Sequence, residues 1–207
     1  MKPLFLFTLW SYRNELKVII LSFIILISLP VVAVFMLTHA GIDIVSDRLA
    51  TVDSKTQKIE IHDPATGEVI KEISPVMTWP VSGVVTLEFG ESNWPFQPFH
   101  SGIDIANSQG NIGDPIVPFM DGTVIYAGEI FWGFGKHIII DHGDNISSIY
   151  AHLSKIYVYP GQKVKPGDII GLEGSTGWST GPHLHFEIRI YAIPVNPRTF
   201  FGNENSN

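Results

Sequence analysis

The sequence predicts an all-β domain of antiparallel sheets that form a groove, preceded by one N-terminal transmembrane helix. Three observations predict it. From about Val76 onward, short β-rich runs alternate with Gly, Asp and Asn turns. No segment of that region holds a sustained period near 3.6 residues. Val18–Thr38 carries no charged residue and is mostly Ile, Leu, Val and Phe, long enough at about 1.5 Å per residue to cross a bilayer core of roughly 30 Å.

Taken in order, residues 1–17 read as a short cytoplasmic piece with Phe5, Phe7, Trp10 and Tyr12 as interfacial aromatics. Residues 18–38 are the anchor. Lys2, Arg13 and Lys17 precede it against a single Glu15, and Asp43 and Asp47 follow it, so the N-terminus is expected in the cytoplasm and everything after the anchor outside the membrane. A cleavable signal peptide is the competing reading. Its apolar core would be shorter, and Thr38-His39-Ala40 is a poor cleavage site. Residues 39–76 read as an extracytoplasmic tether. It holds a possible hairpin, with Ile59 and Ile61, the turn Asp63–Gly67, then Val69 and Ile73. Residues 77–202 form the β-rich domain, with strands expected at Val84–Phe89, Thr123–Ala127, His137–Asp141, Ser147–His152, Asp168–Leu172 and His183–Ile190. Residues 203–207 are a polar tail.

Composition narrows the function. The 207 residues are 45% hydrophobic with 13 Phe and 5 Trp, enough for a sizeable core. A net charge of −7 argues against a nucleic-acid partner. The absence of cysteine excludes disulfides and every Cys-based zinc site.

His183-Leu-His185 carries the chemistry. Side chains two apart on a strand share a face, so the two imidazoles project together. His100 and Asp104 share a face in the same way if their segment is extended. Either His185 or His183 then completes two imidazoles and one carboxylate, the three-ligand count of catalytic zinc sites. Spacing alone is weak, because His39-Ala-Gly-Ile-Asp43 repeats the His100–Asp104 pattern at the membrane edge. That copy is read as coincidence. Gly177-Trp-Ser-Thr-Gly181 fits a serine-nucleophile pattern, but Pro182 and a strand follow and no Asp lies beyond Ser179. His185-Phe-Glu187 fits the deaminase H-x-E, which needs cysteines. No H-E-x-x-H occurs.

His100-Ser-Gly-Ile-Asp104, Tyr150-Ala-His152-Leu and Ser175-Thr-Gly-Trp-Ser-Thr-Gly-Pro-His183-Leu-His185-Phe-Glu together resemble the lysostaphin-type (LytM-domain) zinc metallopeptidases. These cleave peptides of bacterial peptidoglycan. Pro115-Ile-Val117, Asp121-Gly-Thr-Val124, Gly161–Gly171 and Val195-Asn-Pro197 extend the resemblance over roughly Trp79 to Phe200. It implies one Zn2+ held by His100, Asp104 and His185, with His152 and His183 as catalytic histidines facing the reacting water. A neutral His near pKa 6.5 suits proton transfer to and from that water. Which of the two is base and which steadies the oxyanion stays open. The pattern departs at Glu91, where the family often has Arg after Phe89-Gly90. Ser92–Phe99, Phe131–Phe134 and Trp178 are candidate groove walls. His62, His137 and His142 are read as structural.

The expected function is a membrane-anchored zinc endopeptidase acting on peptidoglycan peptide. Two other classes compete. A non-catalytic wall-binding or hydrolase-activating relative would lose ligands or catalytic histidines, and all five positions are present. A lipoyl- or phosphotransfer-type barrel, suggested by Val158–Asp168, lacks a Lys at a hairpin tip and has no use for an anchor.

Overall fold

The computed structural model describes residues 15–29, 41–42, 44–53, 56, 58–74, 76–91 and 99–201. The chain divides into two units, Met1–Gly41 and Ile42–Asn207. In the first, residues 15–29 are helical and display exposed Leu16, Val18, Phe23 and Leu26. Among the described residues no helix is long and apolar enough to cross a membrane. The expected span reaches residue 38, and its part from 30 onward lies outside the described residues, as do His39 and Asp43 of the duplicated pattern.

The second unit is built from antiparallel strands. Helical residues 44–49 lead into β1 (Ala50–Val52), β2 (Ile59–His62) and β3 (Val69–Ile73), a three-stranded meander. Leu49, Ala50, Ile59 and Ile61 are buried in the common core, so part of the segment read as a tether is packed structure. The main sheet has eight strands: β4 (Val84–Leu87), β5 (Ile103–Ala106), β7 (Gly122–Glu129), β8 (Lys136–Gly143), β9 (Ile146–Ala151), β11 (Lys163–Val164), β13 (Leu184–Ile190) and β14 (Ile193–Val195). Its order is β11-β7-β8-β9-β13-β5-β4, with β14 also paired to β13. A small sheet joins β10 (Lys155–Ile156), β12 (Gly171–Leu172) and β6 (Pro115–Ile116).

Strand β13 shows how sequence alternation becomes architecture. Leu184, Phe186, Ile188 and Ile190 are fully buried in the core, where Phe186 packs against Tyr150 and Phe119. The intervening His185, Glu187 and Arg189 take the opposite face. The β8–β9 turn uses Asp144 and Asn145 at φ 53° and 62°, the left-handed pair that matches strand twist in a two-residue hairpin.

Three strand expectations change in detail. The strand expected from His183 starts at Leu184, and His183 makes a single bridge to Gly174. His100 precedes β5 rather than lying on it. It still reaches Asp104 because Gly102 lets the chain lie against β13, where a Cβ would strike the Phe186 carbonyl oxygen. Of Asp168–Leu172 only the last two residues pair, because Asp168 closes a turn by accepting the Lys165 amide at 2.9 Å.

Three histidines have partners away from His183 and His185. His62 Nδ1 donates to Gly67 O, and His137 stacks on Tyr126 at 4.4 Å. His142 Nδ1 donates to Asp121 O at 2.8 Å, while its Nε2 meets Ser148 Oγ at 2.7 Å, which in turn bonds the buried Tyr150 hydroxyl. Burial pushes the His142 pKa down to about 4, against smaller opposing contributions from Asp121 and Asp141. Unfolded, the ring takes a proton near pH 6.5; folded, it resists until about pH 4. Its stabilising contribution is therefore complete above pH 6.5 and is lost as pH falls toward 4. Urea unfolding of the wild type and His142→Gln at pH 7 and pH 4.5 will show a stability gap that narrows in acid by roughly 2 kcal/mol.

Candidate metal centre and cleft

Register builds the site. Asp104 on β5 sits opposite His185 on β13, and His185 sits opposite Ala151 on β9. His100 arrives from the bend before β5. His100 Nε2, Asp104 Oδ1 and His185 Nδ1 then meet: 2.9 Å between His100 and Asp104, 2.9 Å between the two rings, and 2.8 Å between His185 and Asp104. This is the group able to hold a metal among the described residues.

The second nitrogen of each ring decides what the first can be. His100 Nδ1 lies 2.9 Å from Glu88 O, a carbonyl that can only accept, so Nδ1 carries the proton. His185 Nε2 lies 3.0 Å from the Glu187 carboxylate and donates to it. In neutral rings this leaves two imidazole lone pairs and a carboxylate oxygen pointing at one another, an arrangement that calls for a cation between them. The electrostatics agree. Burial works against a charge on His185, yet Asp104 and Glu187 raise its pKa to about 9. Burial would also raise the Asp104 pKa, but hydrogen bonds from His100 and His185 hold it well below the usual carboxylate range. Nitrogen and oxygen donors with no sulfur suit zinc.

Glu187 is the residue that sequence reasoning missed. It is fully buried, bonds Ser101 Oγ, and receives Arg189 Nε at 2.7 Å. Its spacing two residues after His185 put it on the same face, which was the available signal.

His152 and His183 stand beside the cluster. His152 Nδ1 donates to Thr176 O at 2.7 Å and His183 Nδ1 to Gly181 O at 2.8 Å. Each ring therefore turns an unprotonated Nε2 away from its anchor, and His183 Nε2 lies 3.6 Å from Asp104 Oδ2. The ring centroids are 4.8 Å apart. Burial, then the nearby His183 and His185, push the His152 pKa down to about 4, below the ordinary value assumed from sequence.

The five residues share one cleft with a volume of about 670 Å3, save His100, which is buried behind it. Trp132, Phe134, Trp178 and Thr180 line the walls. The two wall loops are clamped together: Trp178 N donates to Gly133 O at 2.8 Å and Lys136 N to Thr176 Oγ1 at 3.0 Å. Gly135 and Gly177, at φ 60° and 70°, meet where either Cβ would hit the other loop's backbone. Residues 92–98, another expected wall, lie outside the described residues.

An antiparallel sheet with this donor set on its cleft face defines the lysostaphin-type, LytM-like peptidase fold. Residues 98–197 match the model of peptidase family M23. The chain is 36% identical to a variant of the catalytic domain of the prophage-encoded M23 protein EnpA from Enterococcus faecalis, over 61% of this chain and 98% of that one, with a TM-score of 0.53. It is 29% identical to lysostaphin from Staphylococcus simulans over 65% of this chain and 58% of that one, with a TM-score of 0.55. The murein hydrolase activator NlpD of Escherichia coli is 43% identical over 126 residues, 60% of this chain and 31% of that protein. The chain belongs to peptidase family M23. It spans between about a fifth and a third of the length of the curated relatives it matches.

If Glu187 orients His185, Glu187→Gln will weaken Zn2+ binding about 10- to 100-fold in competition with a chromophoric chelator while the far-UV spectrum is unchanged.

Proposed function

We propose that this chain is a zinc endopeptidase acting on the peptide part of peptidoglycan, anchored in the bacterial cytoplasmic membrane through residues 18–38 with its β-domain outside. One observation carries the reading: the three metal-donor atoms meet at one point, and Asp104, His185 and both accessory histidines line an open cleft there. His100, Asp104 and His185 would hold the ion. Held there, zinc would supply Lewis acidity toward a water molecule and the scissile carbonyl.

The remaining chemistry belongs to the chain. His152 and His183 present Nε2 to the cleft, so either accepts the water proton as it attacks the carbonyl carbon. The imidazolium that forms then gives that proton to the leaving nitrogen as the C–N bond breaks, while the other histidine steadies the oxyanion until it collapses to the carboxylate. Trp132 and Trp178 form apolar walls that position the peptide and exclude water.

A second reading, an activator of another hydrolase, is favoured by the likeness to NlpD, which is named for activating murein hydrolases. The membrane placement rests on the uncharged run and the charges flanking it.

Digestion of isolated peptidoglycan by the purified full chain, followed by mass analysis of the fragments, separates the readings. The peptidase reading expects new peptide termini that vanish with chelator. His185→Ala will lose bound zinc; His152→Ala and His183→Ala will retain it and lose turnover by about 100-fold or more. Intact muropeptides under every condition, with faster cleavage by an added hydrolase, would establish the activator reading instead. Trp132→Ala and Trp178→Ala are expected to raise KM more than they lower kcat.

A further inference from the structure

Away from the cleft, two acidic residues, Asp114 and Glu173, are neighbours across a strand pair, and each acts on the other electrostatically. The ladder between β6 and β12 sets Pro115 opposite Leu172. One step further, Glu173 N donates to Asp114 O at 2.9 Å and Gly113 N to Glu173 O at 3.1 Å, so Glu173 opposes the Gly113–Asp114 corner. Like charges opposed across strands are destabilising.

Glu173 is also fully buried, and both its carboxylate oxygens lack a hydrogen-bond partner. The Asn107 backbone amide acts on this carboxylate without reaching hydrogen-bond geometry. The Asn107 side chain is already engaged, with Nδ2 donating to Asp114 Oδ2 at 2.9 Å and to Asn111 O at 2.8 Å. Among the described residues, no ion pair reaches Asp114 or Glu173. A buried carboxylate in this state is costly until a positive charge or a proton meets it.

We propose that Asp114 and Glu173 form a binding site for a hard divalent cation of the calcium class. The donors are oxygens, with no imidazole or thiolate among them, which favours a hard ion over zinc. Calcium accepts irregular geometry and main-chain carbonyls, whereas magnesium demands near-ideal octahedral geometry. Asp114 is partly exposed and gives the ion a way in. Burial first, then Asp114, push the Glu173 carboxyl up to about 7, the response of a site short of positive charge.

The location gives the site a use. Ser154 Oγ donates to Glu173 O at 2.7 Å, two residues after His152. The next residue, Gly174, accepts the His183 amide at 3.0 Å. A bound ion braces the base of the loop that ends in His183. The proposal does not depend on the peptidase reading.

Calorimetric titration of calcium into the zinc-loaded full chain at pH 7.5 tests it, together with thermal melts. The expected result is one ion per chain with Kd of about 10⁻⁴–10⁻³ M and a melting temperature raised by several degrees. Asp114→Asn, at a partly exposed position, will weaken binding at least about 10-fold. Glu173→Gln will abolish the calcium-dependent shift without lowering the calcium-free melting temperature. If Glu173→Gln fails to fold, the Asp114→Asn titration decides. No calcium heat, with stability rising as pH falls through 7, would assign a proton to Glu173 and overturn the proposal. A calcium shift of equal size in wild type and variants would overturn it too.

Discussion

Asp104 faces His185 across β5 and β13, and Ala151 faces His185 from β9; the cleft floor exists only in that register. A slip of one residue would turn every side chain of β13 over. His185 and Glu187 would then enter the apolar layer, and Leu184, Phe186, Ile188 and Ile190 would enter the cleft. The four apolar residues are fully buried, so the core itself enforces the pairing. Packing and chemistry are thus one constraint: hydrophobic burial on one face of β13 fixes the placement of metal donors on the other.

Register places the rings, but hydrogen bonds orient them. Each of the four site histidines commits one nitrogen to an acceptor: His100 to Glu88 O, His152 to Thr176 O, His183 to Gly181 O and His185 to Glu187. An acceptor on one nitrogen forces the proton there and leaves a lone pair on the other. The acceptors lie around the cleft, so the lone pairs point into it. This is preorganisation by tautomer: no ring has to rotate before it acts, and His185, whose pKa Asp104 and Glu187 raise to about 9, has only to release its Nδ1 proton to offer a lone pair to a cation.

The same distinction explains what was legible in the sequence. Alternation over residues 184–190 announced a strand with two faces, and the residue types announced candidate donors, among which only the family resemblance chose His185 over His183. The two-residue ladders β6, β10 and β11 were not legible, because two residues carry no period, and β12 was legible only as the end of a longer expected strand, Asp168–Leu172. His100 was expected on a strand with Asp104, yet it reaches the site from a bend that only the small Gly102 permits. Three of the four ring acceptors are main-chain carbonyls, identical in every residue and visible only once the chain is folded. Glu187, the exception, was legible by its spacing and was set aside because the deaminase pattern around it lacked cysteines.

His152 shows how backbone and site are joined. Ala151, paired with His185, shares its face, so the next residue of a continuing strand would point to the opposite face. Strand β9 stops there, and His152 adopts φ 62°, a left-handed conformation uncommon for a residue with a side chain. The turn is held from both sides, by His152 N donating to Phe134 O at 2.9 Å and by its ring donating to Thr176 O. Those two partners belong to the clamped wall loops. The reversal brings the imidazole back to the side of His185, with ring centroids 5.8 Å apart, and the small Ala151 leaves room for it. Strain of this kind persists only where surrounding contacts over-determine it. Here the loops that close the cleft walls also impose the conformation that completes its floor.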